Sequence, residues 1–295
     1  MGKVGLVFPG QGSQAPGMGY EVFERLDAAK ELLSRAEEIL GFELGKIMFS
    51  GQPADLKPTE IAQPALFVCS AMYLERVKAL GETVEVVAGH SLGEYSALYA
   101  AGVLSFKDGV RLTRKRGMAM SKSSGSSGGM AAILGMPVEK VEEALSPFEK
   151  VNVANENSRV QTVISGEREQ LRKSCEMFQQ VPGVKVVKLQ VSDAFHTPYM
   201  ANAREEMQRE IARSAFHFPA CWVIPNVTAR PTKSIEEIKA ALVDQITGRV
   251  RWMESFLQFK EMGIERVFEV GHGKVLKRLG MTITTKVKFS PLFSK

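Results

Sequence analysis

Short apolar runs alternate along this chain with stretches whose apolar positions recur every three or four residues, the strand–helix alternation of an α/β protein. Val4 to Phe8 predicts a buried strand closed by a Pro-Gly turn, and residues 21–40 read as helical throughout. A long helix is expected at about 59–80, a strand over Val84–Ala88, and helices at about 92–101 and 106–120. From residue 130 the rhythm changes. A strand at Met130–Leu134 leads to a helix with Pro137 at its first position, then to strands at about 151–154 and 160–164. A helix at about 167–180 and a strand at 184–191 complete a β-α-β-β-α-β order, that of a ferredoxin-like unit. The first rhythm then resumes with a helix at about 198–213 and a strand near Trp222–Ile224. A helix opened by the capping box Ser234-Ile-Glu-Glu237 and strands at Arg266–Val270 and near Val287–Phe289 follow. The expected architecture is α/β. A large parallel-sheet domain, residues 1–125 and 196–295, is interrupted by a small ferredoxin-like domain at 126–195. The Ser/Gly tract at 121–129 has the composition of a flexible connector between them.

Composition narrows the class. The chain has 295 residues, 44% of them hydrophobic and 24% charged, which excludes a disordered or fibrous protein. Its net charge of +5 is too small and too dispersed for a nucleic-acid surface but suits an anionic substrate or an acidic partner. The three cysteines, Cys69, Cys175 and Cys221, are far apart and form no C-x-x-C pair, so neither a zinc site nor a disulfide framework is expected. No run approaches the roughly 18 apolar residues of a membrane span, and the chain opens directly into its first strand, with no signal segment. A cytoplasmic protein is the expectation.

Gly89-His-Ser91-Leu-Gly93 follows a predicted strand and precedes a predicted helix. In that setting G-x-S-x-G is a nucleophile elbow. The turn crowds backbone against backbone, so small residues flank the serine, and the hydroxyl emerges at the carboxyl end of a strand, where open α/β sheets bind ligands. The next amide, that of Leu92, starts a helix and can donate to a developing oxyanion. A plainer reading makes Ser91-Leu-Gly-Glu94 a capping box with Ser91 as N-cap.

A nucleophilic serine needs a base, and there are four histidines. His90 adjoins the serine and should point elsewhere; His217, in the strand-like Phe216-His-Phe218, reads as a packed structural residue. His272 stands late in the chain, in Gly271-His-Gly273, and His196 lies where the small domain returns the chain to the large one. Loops between domains border clefts, which puts His196 ahead of His272 without excluding it. The loop Gly10-Gln-Gly12-Ser-Gln-Ala15 mimics a dinucleotide fingerprint. It lacks the helix and second strand the fingerprint requires, and delivery of backbone amides to an anion suits it better. The 106–120 helix carries Arg111, Arg114 and Arg116, one of which could hold a carboxylate through its bidentate fork. Spacing does not choose among them.

Taken together these segments resemble the malonyl-CoA:acyl carrier protein transacylases. The matching stretches include Phe8-Pro-Gly-Gln-Gly-Ser-Gln14, Gln63-Pro-Ala65, Gly89-His-Ser-Leu-Gly-Glu-Tyr-Ser-Ala97, Arg116-Gly117, Asn155-Glu-Asn157 and Ala194-Phe-His-Thr-Pro198. The resemblance implies a hydrolase-like large domain with a ferredoxin-like insert. It assigns Ser91 as the acylated nucleophile and His196 as its base. The amides of Gln11 and Leu92 would form the oxyanion hole, Arg116 would bind the malonyl carboxylate, and the main-chain carbonyl of Gln245 would orient the histidine. Phe195 and Asn155 are pocket candidates, with Phe195 and Leu92 favouring malonyl over methylmalonyl. Implied partners are malonyl-CoA and an acidic, phosphopantetheinylated acyl carrier protein, with no metal or cofactor, no nucleic acid and no membrane. A monomer serving fatty acid synthesis is the implied setting.

The chain departs from the family pattern at His272, at the Ser/Gly tract, and at Arg251, which would add positive charge near the cleft and could meet the carrier protein, although a solvated surface arginine is the plainer reading. Two other readings remain: an esterase using Ser91, Asp244 and His272, and a non-catalytic binding module that keeps only the fold.

Overall fold

The computed structural model describes residues 2–123, 128–191 and 193–293. The chain begins with β1 (Val4–Phe8), α1 (Tyr20–Arg25), α2 (Asp27–Leu40), α3 (Leu44–Ser50) and α4 (Thr59–Ala79). β2 (Val84–Gly89), α5 (Gly93–Ala100) and α6 (Phe106–Ser123) follow. A second group comprises β3 (Gly128–Leu134), α7 (Val138–Leu145), β4 (Val151–Ser158), β5 (Gln161–Glu167), α8 (Arg168–Gln179) and β6 (Lys185–Lys188). The chain then returns through a 3-10 turn, Pro198–Met200, into α9 (Ala201–Ala212) and β7 (Trp222–Ile224). It ends with α10 (Ile235–Asp244), α11 (Trp252–Glu261), β8 (Arg266–Glu269), α12 (Val275–Ile283) and β9 (Lys288–Phe289).

Two sheets result. The first runs β7-β2-β1-β8-β9 with every neighbouring pair parallel. Its central strand β1 is buried at all five positions, as a strand covered by helices on both faces must be. The second sheet runs β4-β5-β3-β6, entirely antiparallel. Its apolar face packs on α7 and α8 through Ile133, Val141, Ile164 and Phe178. The second sheet meets the rest of the chain where Val250, in the segment between α10 and α11, bridges β4: its amide donates to Ala154 O at 2.8 Å and its carbonyl accepts from Glu156 N at 2.9 Å. Arg249 reinforces this seam with ion pairs to Glu142 and Glu156.

Both margins of the parallel sheet are short. β9 has two residues, and the outer side of β7 is taken by Thr232, which exchanges bonds of 3.0 and 2.8 Å with Val223.

Several expectations are corrected. Ser121–Ser123 close α6 and Gly128–Gly129 open β3, so the ends of the expected connector are regular structure; its centre, 124–127, and the expected boundary at 125–126 lie outside the described residues. Pro137 is the N-cap of α7 rather than its first helical residue. β6 stops at Lys188, and β4 continues to Ser158. The stretch around His217 is neither strand nor packed: His217 and Phe218 are exposed. Among the described residues no helix is long and apolar enough to cross a membrane.

Candidate active site

Parallel strands that share a direction also share an end, and here four of them deliver the site. β1 runs into the Pro9–Gln14 loop, β2 into the turn at Ser91, β7 into Asn226 and β8 into Gly271. The Ser91 turn is as tight as the glycine pattern demands. A Cβ on Gly89 would lie 1.9 Å from the Gly93 carbonyl, one on Gly93 2.1 Å from Phe8 O, and one on Gly10 2.3 Å from His90 O. Ser91 itself has φ 51, a left-handed backbone that side-chain-bearing residues seldom adopt. The capping-box alternative is overturned: the N-cap of α5 is Leu92, without a side-chain cap bond. Glu94 turns inward and accepts instead from Asn226 N at 3.0 Å and Gln245 Nε2 at 2.8 Å.

Ser91 Oγ stands 2.8 Å from His196 Nε2 and accepts from Arg116 Nη2 at 3.1 Å. The other imidazole nitrogen, Nδ1, lies 2.8 Å from Gln245 O. A carbonyl can only accept, so Nδ1 carries the proton and Nε2 of the neutral ring is left to accept from the serine hydroxyl. Burial, with the Arg116 charge adding to it, lowers the His196 pKa to about 3, so the ring is neutral at physiological pH. The other histidines are elsewhere. His90 reaches Asn157 Oδ1 at 2.8 Å and packs on Trp252. His272 is half-buried and does not line the cavity that holds Ser91.

Of the three α6 arginines, Arg111 pairs with Glu210 and Arg114 donates to Glu60 O while lying over Phe42. Arg116 alone enters the site. It is buried, donates to Gln245 Oε1 at 2.9 Å and rests 5.8 Å from the Tyr95 ring centre. Among the described residues no carboxylate lies within ion-pairing distance of it, and its Nε has no hydrogen-bond partner. Burial lowers its pKa, and burial raises that of nearby Glu94 to about 7. A buried cation lacking a carboxylate partner is costly, and an anion entering the cavity would relieve that cost.

The cavity around these groups measures about 710 Å³ and lies between the two sheets. Gln11, Asn155, Phe195 and His196 line it, as do Gln63 and Lys188. Leu92 lies beneath, almost wholly buried, with its amide next to Ser91. Among the described residues no cluster of His, Cys, Asp or Glu could hold a metal ion. The esterase alternative is not assembled: Asp244 pairs with Arg204, and Ser91 Oγ meets His196 rather than His272. Arg251 follows its plainer reading as a surface arginine, partly exposed rather than set in the cleft. It pairs with Glu254 and caps the carbonyls of Val227 and Thr228, away from the cavity.

A family model described as an acyl transferase domain matches residues 6–279. The polyketide biosynthesis malonyl CoA-acyl carrier protein transacylase PksC of Bacillus subtilis is 41% identical over 92% of this chain and 94% of its own length. The chain belongs to the malonyl CoA-acyl carrier protein transacylase family. This acyltransferase is also 38% identical to the malonyl CoA-acyl carrier protein transacylase of Bacillus subtilis, over 98% of this chain and 92% of that one. Polyketide biosynthesis protein ThaF of Burkholderia thailandensis is 42% identical over 93% of this chain, which spans only 24% of ThaF. Among solved structures, the transacylase of Coxiella burnetii superposes with TM-score 0.95 at 33% identity, covering 99% of this chain and 94% of that one. A complex of a type II polyketide acyl-carrier protein with its malonyl-transacylase, PlMCAT:AntF, gives 0.94 at 31% identity, covering 97% and 94%.

Pattern reading missed Asn226, Glu94 and the side-chain role of Gln245. Asn226 Oδ1 accepts from Ser91 N and its Nδ2 donates to Gly89 O, across 135 and 137 positions of sequence. Only the early Gly-x-Ser-x-Gly-Glu order hints that Glu94 belongs to the site.

Proposed function

We propose that this acyltransferase moves a malonyl group from coenzyme A to the phosphopantetheine thiol of an acyl carrier protein through an ester on Ser91. The observation that carries the reading is Ser91 Oγ held between a neutral, oriented His196 and the buried Arg116 guanidinium. Ser91 Oγ attacks the thioester carbonyl while His196 Nε2 takes its proton. The amides of Gln11 and Leu92 hold the tetrahedral oxyanion. Collapse expels coenzyme A as a thiol protonated by His196. The carrier thiol then gives its proton to His196 and attacks the ester, and Ser91 regains the proton as it leaves. Each half-reaction is redox-neutral and needs only a base and oxyanion donors.

Arg116 gives this cycle its substrate class. A guanidinium fork pairs with the free malonyl carboxylate and rejects acetyl, which leaves the buried charge unanswered. Phe195, buried beside His196 on the cavity wall, favours malonyl over the bulkier methylmalonyl group. The small β-α-β-β-α-β unit, read as a ferredoxin-like insert over 126–195, supplies the opposite wall. The carrier complex of the related transacylase and the net charge of +5 support an acidic carrier protein as acceptor. The fatty acid carrier is our reading of that acceptor; the likeness to PksC and ThaF favours a polyketide carrier as the second one.

Intact-protein mass spectrometry after mixing with malonyl-CoA, with acetyl-CoA in parallel, tests the first half-reaction. A malonyl adduct mapping to Ser91, absent with acetyl-CoA and discharged by carrier protein, is expected. No adduct, or equal labelling by acetyl-CoA, would overturn the reading. Discharge rates with a fatty acid and a polyketide carrier assign the acceptor.

A further inference from the structure

The left-handed backbone of Ser91 is strained for a side-chain-bearing residue and persists only where the surroundings impose it. Main-chain bonds brace the turn on either side of the serine. His90 N donates to Phe8 O and Gly93 N to His90 O, each at 2.9 Å. The amide of Ser91 is held differently. It donates to Oδ1 of Asn226 at 2.7 Å, and the Nδ2 of the same carboxamide donates to Gly89 O at 2.6 Å. One side chain thus spans the two peptide groups between which the chain turns.

Asn226 is itself fixed. It is fully buried, its amide donates to Glu94 Oε2 at 3.0 Å, and its carbonyl accepts from Arg251 N at 3.0 Å. Gln245 completes the frame, donating through Nε2 to Ser91 O at 2.9 Å and to Glu94 Oε2 at 2.8 Å. The turn therefore needs an acceptor facing Ser91 N and a donor facing Gly89 O from one short, planar group. Asparagine supplies both; aspartate supplies the acceptor alone and sets a second carboxylate beside Glu94. Asn226 is fully buried and does not line the cavity that holds Ser91.

We propose that Asn226 is a positioning residue for acyl transfer. Its carboxamide sets the backbone of Ser91, and thereby the aim of Oγ at His196 Nε2 and the place of the Leu92 amide. This inference rests on Ser91 being the nucleophile. Misplacement by about 1 Å costs a reaction on the order of 10²-fold in rate, whereas Arg116 keeps its bond to Gln245 and malonyl-CoA binding is spared.

The test is rapid-quench mass spectrometry of Ser91 malonylation in Asn226→Asp, Asn226→Ala and Asn226→Ser, with Ser91→Ala in parallel. The burst amplitude counts competent molecules, so the burst rate is a per-molecule quantity even where part of a preparation is unfolded. In Asn226→Asp and Asn226→Ala the rate is expected to fall about 10²-fold with KM for malonyl-CoA within about threefold. Asn226→Ser, which retains one hydrogen-bonding group, is expected to recover part of the loss. A wild-type burst rate with reduced amplitude would show that Asn226 serves folding alone and would overturn the proposal, as would a rise in KM that accounts for the loss. Undiminished malonylation of Ser91→Ala would instead remove the seryl reading beneath it.

Discussion

His196 is held with both ring nitrogens engaged, and its surroundings press it toward the neutral state. Its pKa of about 3 places protonation far below the ordinary imidazole value of 6.5. Ser91 acylation in the free enzyme is therefore expected to stay level as pH falls through 6.5, with its acid limb displaced to lower pH. The pH dependence of kcat/KM for malonyl-CoA reads this directly; a limb centred at 6.5 would contradict it. Stability carries the opposite signs of two buried groups. A depressed His196 contributes stability that is present above 6.5 and lost as pH falls toward 3. Glu94, raised from 4.5 to about 7, contributes stability present below 4.5 and lost as pH rises through 7. Glu94→Gln should therefore show a smaller fall in melting temperature between pH 5 and 8 than the parent, measured by calorimetry. Arg116→Ala should reduce the malonyl-over-acetyl preference in Ser91 labelling by about 10²-fold or more, because the carboxylate then loses the buried guanidinium beside Ser91. At this scale the sequence displayed Ser91, His196 and Arg116 as candidates, since each carries its chemistry in its own residue type. Asn226 was invisible: the two elbow peptide groups its carboxamide bridges lie more than a hundred positions away, and no local pattern records them.

The elements bring these side chains together through contacts that leave no room for a methyl group. α6 packs on α4 so closely that a Cβ on Gly109 would fall 2.0 Å from the Phe67 ring, and one on Gly117 2.6 Å from Thr59 O. Gly117 adjoins Arg116, so this approach sets how far the guanidinium reaches. Gly117→Ala is expected to push α6 outward and to lower malonyl discrimination at least about tenfold, read from parallel malonyl and acetyl labelling. Gly93→Ala strikes the main chain of Phe8 and Pro9 at the end of β1 and should destabilise the fold by about 3 kcal/mol in urea unfolding. Periodicity showed α4, α5 and α6 because their apolar runs are long or flanked by clear stops. It assigned no element to α3, α11 or α12. In α11 the aromatic run Trp252, Phe256 and Phe259 stacks into a core shared with Phe289 of β9, a distant contact that alone decides its use.

Across the whole molecule, the cavity exists because one sheet stands over the carboxyl edge of the other. The elements of the antiparallel sheet were legible as a change of rhythm near residue 130, whereas the seam was not. Val250 joining β4 is a pairing between segments about a hundred residues apart, with no repeat or motif to announce it. Arg249→Ala removes the ion pairs to Glu142 and Glu156 on that seam. Partly exposed pairs contribute little to stability, so a loss of about 1 kcal/mol or less is expected in urea unfolding. Proteolytic cutting between the sheets should accelerate more than that small loss accounts for.

The margins of the parallel sheet bear on how the molecule behaves in a crowded solution. A strand at a sheet edge exposes a row of unsatisfied donors and acceptors on which another chain can polymerise. Here Thr232 occupies that row on β7, and β9 is too brief to offer one. High concentrations of the folded protein therefore have no strand template from which ribbon-like aggregates could grow at either margin.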